Sequence, residues 1–372
     1  MQIELPISKS IANRWLMLQA IHGDELMPVS DSMPDDVQIL HNALTTLRTF
    51  KTSKTLSTPH IDVGNCGTAM RFLTAYCAQL DGQTVILDGV ERMRHRPIGQ
   101  LVDALREIGA DIEYLGEEGF PPLRIKGCIL DKHRMVTINN PQSTQFVSAL
   151  LLIGANVQTD STSPYITLSR EMIKRSGRGV DYSSPLLGGV GGGLERDWSS
   201  AAFWYEYVAL HGGEITLPGL SRDSLQGDKV VADIFTNLGV HTQYTSKGVT
   251  IFSTGVADLQ RSDLQGIDAR STVQRSAEEI LHQDFSACPD LYPAVALTCE
   301  RLGIELHATG VESLPLKESD RLRAVREHRT DADHRMAMAL LIAGYEVDDT
   351  ACISKSYPQF IEQWKSVNTS NE

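Results

Sequence analysis

The chain has 372 residues, with 34 lysines and arginines against 47 aspartates and glutamates, which gives a formal net charge of −13. This acidic balance argues against a protein that coats nucleic acid or an anionic membrane surface, because both tasks need a cationic face. The hydrophobic fraction of 41% and the charged fraction of 22% are ordinary for a globular chain. We therefore expect roughly two or three domains, with no nucleic acid and no membrane as partners.

The N-terminal segment MQIELPISKS has no signal-peptide pattern, and no apolar run reaches the length of a membrane span. The cysteines form no Cys-x-x-Cys pair, which predicts free thiols and a reducing, cytoplasmic location. The histidines are scattered, and neither His-Glu-x-x-His nor a Cys/His cluster occurs, so we expect no metal site.

Four predicted helices begin with small polar residues beside a basic or amide side chain. They are KSIANRWLMLQAI from Lys9, GTAMRFLTAYCAQL from Gly67, STQFVSALLLIG from Ser143 and DWSSAAFWYEYVALHG from Asp197. Ordinary N-capping explains any single one of these starts. Because helix N-termini attract anions, four of them together with basic neighbours favour anion binding. The glycine-rich stretch Gly188–Gly193, which precedes the fourth helix, predicts a loop.

An internal repeat relates the stretch from Val85 to the stretch from Ile215, at an offset of 130 residues. Both copies read as strand, glycine turn, polar loop, amphipathic helix, glycine stop and strand, which predicts a repeated βαβ-type unit. A third copy begins at Ile304 but runs directly into DADHRMAMALLIAG, so we expect it to be cut short.

Chemistry-bearing residues occur in separate segments along the chain. The candidates are Lys9-Ser10 with Arg14, the glycine loop Gly64–Arg71, the arginines of Arg92–Pro97, Pro289-Asp290, Lys317–Arg321, Asp333–Arg335 and Lys355. Two cations and a hydroxyl suit a phosphate or carboxylate, and carboxylates near cations suit general acid–base chemistry. Judged alone, each segment is equally compatible with a solvated helix end or a surface ion pair.

Taken in order, these segments resemble the 5-enolpyruvylshikimate-3-phosphate synthase family of enolpyruvyl transferases. The family's NAGTAMR, RMRxRPI, SSQF, DASSA, KETDR and DHRMAM stand here as NCGTAMR, RMRHRPI, STQF, DWSSA, KESDR and DHRMAM. The opening KSIANR, the Pro-Asp pair at Asp290 and the late KSYP also match, so the likeness runs from residue 5 to about residue 365.

The resemblance implies transfer of the enolpyruvyl group of phosphoenolpyruvate to the 5-hydroxyl of shikimate 3-phosphate, with release of phosphate. It implies no metal or organic cofactor, these two small molecules as substrates, and a monomer. The implied fold is α/β, a two-lobed inverse α/β barrel built of repeated βαβαββ units. We expect one lobe to comprise residues 1–8 and 227–372, the other residues 9–226, and the active site to lie in the cleft between them.

The resemblance also implies a set of site residues. For phosphoenolpyruvate they are Lys9, Gly67, Arg96, Gln145, Arg321, Arg335 and Lys355, with Arg321 and Arg335 facing its carboxylate. For shikimate 3-phosphate they are Lys9, Ser10, Arg14, Ser143, Thr144, Gln145, Tyr165, Asp290, Ser313 and Lys317. The implied catalytic residues are Lys9, Asp290, Glu318 and His334, with Asp290 as the base for the hydroxyl.

The sequence departs from the family pattern at several positions. Thr144 replaces a serine but keeps a hydroxyl, Cys66 replaces an alanine in the glycine loop and predicts a thiol-sensitive site, and Ser313 replaces an asparagine. Between Arg323 and Asp333 the chain lacks roughly the rest of one repeat unit. We expect this gap to reflect residues omitted from the sequence, with a true deletion as the alternative.

Two other functions compete with this interpretation. One is enolpyruvyl transfer to a UDP-amino sugar, whose enzymes begin with Lys-Asn where this chain has Lys9-Ser10. The other is a catalytically inactive anion-binding relative, which predicts loss of Lys9, Asp290 or Glu318, and all three are present.

Overall fold

The structure, a computed structural model, describes residues 1–52, 58–176, 194–253 and 280–369. The chain divides into two compact units. The first, here called the inserted unit, is Lys9–Asp181, and the second, here called the terminal unit, is Met1–Ser8 with Tyr182–Glu372. The loop predicted at Gly188–Gly193 lies outside the described residues. None of the helices in the described ranges is long and apolar enough to cross a bilayer.

The inserted unit packs helices against a four-stranded sheet. Its helices are α1 (Lys9–His22), α2 (Asp35–Thr52), α3 (Gly67–Ala78), α4 (Glu91–Arg94), α5 (Gly99–Glu107), α6 (Thr144–Leu152) and α7 (Pro164–Ser176). Its strands are β1 (His60–Asp62), β2 (Thr84–Asp88), β3 (Asp111–Tyr114) and β4 (Leu123–Lys126), with a separate pair β5 (Val136–Thr137) and β6 (Val157–Gln158). The predicted helix starts at Lys9, Gly67 and Ser143 are confirmed, with Ser143 as the N-cap of α6.

The terminal unit contains the fourth predicted helix start, with Asp197 as its N-cap. Its helices are α8 (Trp198–His211), α9 (Val231–Thr236), α10 (Tyr292–Leu302), α11 (Arg321–Glu327), α12 (His334–Ile342) and α13 (Phe360–Thr369). Its strands are β7 (Gly213–Pro218), β8 (His241–Thr245), β9 (Gly248–Ser253), β10 (Ile280–Asp284) and β11 (Glu305–Thr309). Helices and strands alternate in both units, so the α/β class is confirmed.

Residues 194–226 belong to the terminal unit, and not to the lobe 9–226 expected from the sequence. The reason is that α8 is apolar on all sides and needs neighbours all round. Trp198, Trp204 and Tyr205 are fully buried in one core with Leu5 and with residues of α10, α12 and α13. Burial of both of its tryptophans in this core makes α8 part of the terminal unit.

The internal repeat is confirmed as a repeated sheet topology. The strand order is β2-β4-β3 in the first copy and β7-β9-β8 in the second, and the middle strand is antiparallel to both neighbours. Leu87 and Tyr114 both pair with Leu123 in the first copy. The two strands of each predicted βαβ unit are therefore not adjacent, because a third strand lies between them.

The third copy is cut short, as predicted. Strand β11 pairs in parallel with β10, as β2 does with β1, and Gly310 follows it in the left-handed region with φ +66°. Helix α11 ends at His328, which is also left-handed, and the Arg329 amide donates to the Ala324 carbonyl. The chain then enters α12, and residues 310–369 contain no strand after β11. The expectation of omitted residues stays a prediction.

A buried acid in the terminal core leads to a stability prediction. Glu206 on α8 is 0% exposed, and neither carboxyl oxygen has a hydrogen-bond partner among the described residues. Burial raises the pKa of Glu206 well above its ordinary value. The folded protein thus keeps a proton that the unfolded chain releases above about pH 4, so stability decreases as the pH rises toward the folded-state pKa.

Glu206→Met is expected to raise the free energy of unfolding by about 1–3 kcal/mol at pH 8, because it removes an unsatisfied buried polar group. Urea unfolding at pH 5 and pH 8 measures this, and the gain is expected to be larger at pH 8. Glu362→Met, the same change at an exposed position of α13, is the control. A destabilised Glu206→Met variant at pH 8 would show that the buried acid is not a cost to the fold.

Candidate active site

Lys9 opens α1 and is paired with a buried carboxylate on α2. Its Nζ lies 3.0 Å from Oδ2 of Asp36, and the Asp36 side chain is 3% exposed. Asp36 stands in the first turn of α2, where the helix dipole favours negative charge. The main-chain oxygen of Asp36 also lies 3.8 Å from the Cys66 Sγ donor, so Lys9 is placed beside the glycine loop.

The glycine loop turns into α3 against the guanidinium of Arg96. Cys66 caps α3 by accepting the Ala69 amide at 3.4 Å, and it is fully buried, which argues against the predicted thiol sensitivity. A Cβ added to Gly67 would lie 2.6 Å from Nη2 of Arg96, so only glycine leaves room for the guanidinium in this position. Glycine here allows close approach of backbone and cation.

Arg96 is a buried cation with no carboxylate partner among the described residues. It is 7% exposed, and Nη1 donates to the Asn65 carbonyl at 3.3 Å. Its Nε has no hydrogen-bond partner, and no salt bridge to Arg96 is found within the ranges that the structure describes. A buried charge without a partner is costly, so this arrangement favours an anionic ligand at Arg96.

The start of α6 meets the same loop. The Gln145 amide donates to Oγ of its N-cap Ser143 at 3.3 Å, and its side-chain Nε2 donates to Oγ1 of Thr68 at 3.0 Å. Thr144 is the first residue of α6. The predicted phosphoenolpyruvate and shikimate 3-phosphate residues Gln145, Ser143 and Thr144 therefore lie next to the helix that Gly67 opens.

Arg14 is buried among neutral acceptors. Its Nε donates to Ser169 at 2.8 Å and its Nη2 to Ser148 at 3.2 Å. Its Nη1 and Nη2 also donate to the main-chain oxygens of Ser10 and Tyr165. Burial lowers the pKa of Arg14 to about 10. The guanidinium is held firmly, but in the described part of the chain no carboxylate neutralises it, which again favours an anion nearby.

In the terminal unit, Asp290 stands at the centre of a cluster of cations. One carboxylate oxygen accepts from Nη1 of Arg321 at 2.8 Å and lies 3.4 Å from Nζ of Lys317. The other accepts from Nη2 of Arg335 at 2.8 Å. Its position follows from Pro289, which begins a 3₁₀ turn ahead of α10. The sequence-predicted residues Asp290, Lys317, Arg321 and Arg335 are thus in contact.

Arg321 is held by three carboxylates. Besides Asp290, its Nε donates to Asp333 at 2.8 Å and its Nη2 to Glu318 at 3.1 Å, and its side chain is 1% exposed. Burial acts to lower the pKa of Arg321, but the charges of Asp333, Asp290 and Glu318 outweigh it and raise the pKa. Each of its three nitrogens already donates to a carboxylate, so Arg321 is less suited to the substrate carboxylate expected from the resemblance than a guanidinium with an unpartnered nitrogen.

Arg335 keeps such a donor. It is 3% exposed, and its Nη1 is buried without a hydrogen-bond partner in the described residues. Burial acts to lower the pKa of Arg335, but Asp290 outweighs it and the pKa is raised. The guanidinium therefore stays charged, and its Nη1 can donate to a ligand. The structure favours Arg335 over Arg321 for binding the substrate carboxylate.

The other predicted residues of the terminal unit differ in their placement. Nζ of Lys355 lies 3.7 Å from Glu318, which connects it to the same cluster. His334 opens α12 with its side chain 1% exposed, and its Nδ1 is 3.9 Å from Asp333. Ser313 lies before the 3₁₀ turn that leads to Lys317 and is half-buried, with no side-chain hydrogen bond at that cap.

Two buried carboxylates of these clusters, Asp36 and Asp228, are absent from the sequence prediction, and a third, Asp333, is a sequence candidate to which no role is assigned. Asp36 pairs with Lys9, and Asp333 both holds Arg321 and caps α12 through the Arg335 amide at 2.9 Å. Asp228 accepts from the Ser199 hydroxyl, and burial together with Asp290 raises its pKa to about 7. The N-cap position before His334-Arg335 is a local signal for Asp333, whereas no local signal reveals Asp36 or Asp228 as partners.

Arg14 and Arg96 have no carboxylate partner among the described residues, and such unbalanced positive charge favours an anion. Among the described residues, no group of His, Cys, Asp and Glu is arranged to hold a metal ion. The arrangement can bind anions and offers carboxylates and an amine for proton transfer.

Comparison with known proteins agrees with this chemistry. A family profile described as EPSP synthase (3-phosphoshikimate 1-carboxyvinyltransferase) matches residues 1–328 and 325–364. The break between the two matches falls at the end of α11, where the third repeat copy is cut short. By its name, the family transfers a 1-carboxyvinyl (enolpyruvyl) group to 3-phosphoshikimate.

Relatives support the same conclusion. A 3-phosphoshikimate 1-carboxyvinyltransferase from Bacteroides fragilis is 34% identical, covering 96% of this chain and 93% of its own. One from Colwellia psychrerythraea is 28% identical, covering 99% and 96%. The solved EPSP synthase from Acinetobacter baumannii has a TM-score of 0.62 at 19% identity, covering 97% of this chain and 94% of its own, and shares the two-domain inverse α/β fold. The chain belongs to the EPSP synthase family of enolpyruvyl-transferring enzymes.

Proposed function

We propose that this chain transfers the enolpyruvyl group of phosphoenolpyruvate to the 5-hydroxyl of shikimate 3-phosphate. The product is 5-enolpyruvylshikimate 3-phosphate, with phosphate as the leaving group, in the shikimate pathway of aromatic amino-acid biosynthesis. The observation that carries this proposal is Arg96, a buried guanidinium with no carboxylate partner among the described residues, packed on Gly67 of the family's glycine loop.

Phosphoenolpyruvate brings a phosphate and a carboxylate, which need different cations. Arg96 and Lys9 are assigned to the phosphate, with Lys355 as a third contact and Gln145 beside them. Arg335 is assigned to the carboxylate, because its buried Nη1 has no partner within the described residues. Arg321 joins it only if Asp290 or Glu318 gives up its hydrogen bond. A planar guanidinium suits two oxygens at once.

Shikimate 3-phosphate is assigned to the polar residues around Arg14. The guanidinium is fixed by the hydroxyls of Ser148 and Ser169 and keeps an unbalanced charge, which suits an anionic group of this substrate. The polar side chains that complete this site are Ser10, Ser143, Thr144, Gln145, Tyr165, Ser313 and Lys317. Their role is to orient the 5-hydroxyl toward the reacting carbon.

The chemistry requires a base for the hydroxyl and an acid for the methylene carbon. The hydroxyl oxygen adds to C2 while a proton is added to C3, and the tetrahedral intermediate then loses phosphate from C2 and a proton from C3, which restores the double bond. Asp290 is assigned as the base, and its two arginines hold it in one orientation. Lys9 and Glu318 are assigned to proton donation at C3, with His334 assisting. Exclusion of water around these groups strengthens each ion contact.

The enzyme is assigned to the cytoplasm and to the monomeric state. The supporting observations are the six cysteines, all of which are free thiols, and the assignment of every site residue to a single copy of the chain.

Release of phosphate from phosphoenolpyruvate tests the proposed function. We expect release only when shikimate 3-phosphate is present, and loss of release in Lys9→Ala. The competing substrate is tested by replacing shikimate 3-phosphate with UDP-N-acetylglucosamine, which we expect to give no release. Release without shikimate 3-phosphate, or full activity of Lys9→Ala, would reject the assignment, and no release with either acceptor would favour an inactive relative.

Gly67→Ala is expected to raise KM for phosphoenolpyruvate by about 10–200-fold, the usual effect of one extra methyl group in a fitted pocket. The added Cβ displaces the Arg96 guanidinium, which is the mobile end of a side chain, so the protein is expected to fold. Steady-state kinetics with both substrates measures the effect.

The matched control is Gly99→Ala, at the first residue of α5, where a Cβ would meet only an ordinary contact at 3.5 Å. We expect its KM to equal that of the wild type. An unchanged KM for phosphoenolpyruvate in Gly67→Ala would show that Arg96 does not bind phosphoenolpyruvate.

A further inference from the structure

A buried hydrogen-bond network surrounds the residue that precedes Lys9. Ser8 is 0% exposed, its amide donates to the Glu195 carbonyl at 2.8 Å, and its hydroxyl donates to Oε1 of Gln226 at 2.8 Å. Nε2 of Gln226 in turn donates to the Arg196 carbonyl at 2.8 Å. Ser8 is the last residue of the terminal unit's N-terminal segment, and the chain continues directly into Lys9.

Trp198 binds this network at two points. Its main-chain amide donates to Oε1 of Gln226 at 3.1 Å, and its indole Nε1 donates to Oε1 of Glu195 at 3.1 Å. Tryptophan stands here where the DASSA motif of the resembling family has alanine. The Trp198 side chain is fully buried, which leaves its indole nitrogen dependent on the Glu195 carboxyl.

The Glu195 carboxyl is the central acceptor of the network. It is 2% exposed, and burial raises its pKa to about 7, against the opposing effect of hydrogen bonds from Ser224, Gln226 and Trp198. The neighbouring charge of Asp197 also acts to raise this pKa. A buried acid with this many partners is fixed in orientation, and so are the groups that it binds.

We propose that Glu195 is a positioning residue, which acts with Trp198 and Gln226 to fix the Ser8 backbone and through it the placement of Lys9. Glu195 touches no substrate in this scheme. Its carboxyl orients the Trp198 indole, and the Trp198 amide donates to Gln226. Gln226 accepts from the Ser8 hydroxyl, and the Ser8 main chain sets where Lys9 begins α1. This inference rests on the proposed function of Lys9 and extends it to a network that the proposed reaction does not use.

A double-mutant cycle with Lys9 tests this role. The dissociation constant of shikimate 3-phosphate is measured by calorimetry for the wild type, Glu195→Ala, Lys9→Ala and the double variant. If Glu195 acts through Lys9, Glu195→Ala weakens binding by about tenfold when Lys9 is present and by no more than about twofold in the Lys9→Ala background. A merely structural role predicts the same factor in both backgrounds, and that result would overturn the proposal.

Conservative variants keep the test decisive if Glu195→Ala folds poorly. Glu195→Gln keeps an oxygen that accepts from the indole, so its binding is expected to return to within about threefold of the wild type. Trp198→Phe removes only the donor, and we expect a smaller loss that also depends on Lys9. Glu214→Ala, at an exposed position of β7, is the control with unchanged binding. Glu195→Gln as weak as Glu195→Ala would also overturn the proposal.

Failure of this inference and failure of the proposed function give different results. If the wild type releases no phosphate with its two substrates, the proposed function fails, whatever the cycle shows. If the wild type turns over and the cycle is additive, only the role of Glu195 fails.

Discussion

Asp290→Asn is expected to lower kcat by about 10²–10⁴-fold, the contribution typical of one general acid or base. Asparagine keeps an oxygen for one of the two arginines but cannot accept the hydroxyl proton. Alanine is a poorer choice, because it removes the acceptor of Arg335 and one of the three acceptors of Arg321, and removal of one partner from a buried ion pair costs about 3–5 kcal/mol of stability. Initial rates of phosphate release at saturating substrates measure the effect.

Asp331→Asn is the matched control for this prediction. Asp331 lies in the same unit, its side chain is 19% exposed as in Asp290, and it also pairs with two arginines, Arg323 and Arg329. We expect its kcat to match that of the wild type. If the two variants lower kcat by the same factor, Asp290 acts only in the ion-pair network and is not the base.

Arg96→Ala is expected to lower kcat/KM for phosphoenolpyruvate by about 10²–10³-fold, as removal of one preorganised donor to a developing anion does. The effect is large because Arg96 is buried, where charge is weakly screened, and because its charge is not used by a carboxylate in the described residues. Stability is expected to stay equal or to rise, since an unpaired buried cation is removed. Kinetics and urea unfolding measure the two effects.

Arg92→Ala controls for the loss of one positive charge from the same segment. Arg92 is exposed in the helix α4 that precedes Arg96. Its removal is expected to leave kcat/KM within about twofold, because exposed charges are screened by salt. If Arg92→Ala and Arg96→Ala lose the same activity, the effect is long-range charge and not a specific contact.

Local signals in the sequence predict a large part of this architecture. The helix starts at Ser143 and Asp197 follow from capping chemistry, because a side-chain oxygen must satisfy free amides at those positions. The repeat follows from glycines at turns and helix ends, which are fixed by backbone conformation. The position of β4 between β2 and β3 cannot be predicted from such local signals, since strand order depends on pairing between distant segments.

The unit boundary shows where local patterns fail. Helix α8 is apolar on all its faces, so the sequence predicts burial but does not identify the neighbours. Only the packing of Trp198 and Trp204 with Leu5 places α8 in the terminal unit. The expected boundary at residue 226 therefore separated a helix from its own core.

In the candidate site, too, the sequence predicts the residues but not their partners. Family motifs name Lys9, Arg96, Asp290 and Arg335, but they do not say which charges neutralise each other. Asp36 and Asp333 are far in sequence from the cations they hold, and burial makes these pairings specific. The distinction between Arg321, with its donors engaged, and Arg335, with one unused, comes from the structure alone.

The central claim of the proposed function is that Arg96 and Lys355 each bind phosphoenolpyruvate. Calorimetric titration of phosphoenolpyruvate into the enzyme saturated with shikimate 3-phosphate tests it most directly, with Arg96→Ala from the inserted unit and Lys355→Ala from the terminal unit. The account predicts a single binding event in the wild type that each substitution weakens by at least about tenfold, as loss of a charged contact does. A Lys355→Ala enzyme that binds phosphoenolpyruvate as tightly as the wild type, while Arg96→Ala loses binding, would contradict it.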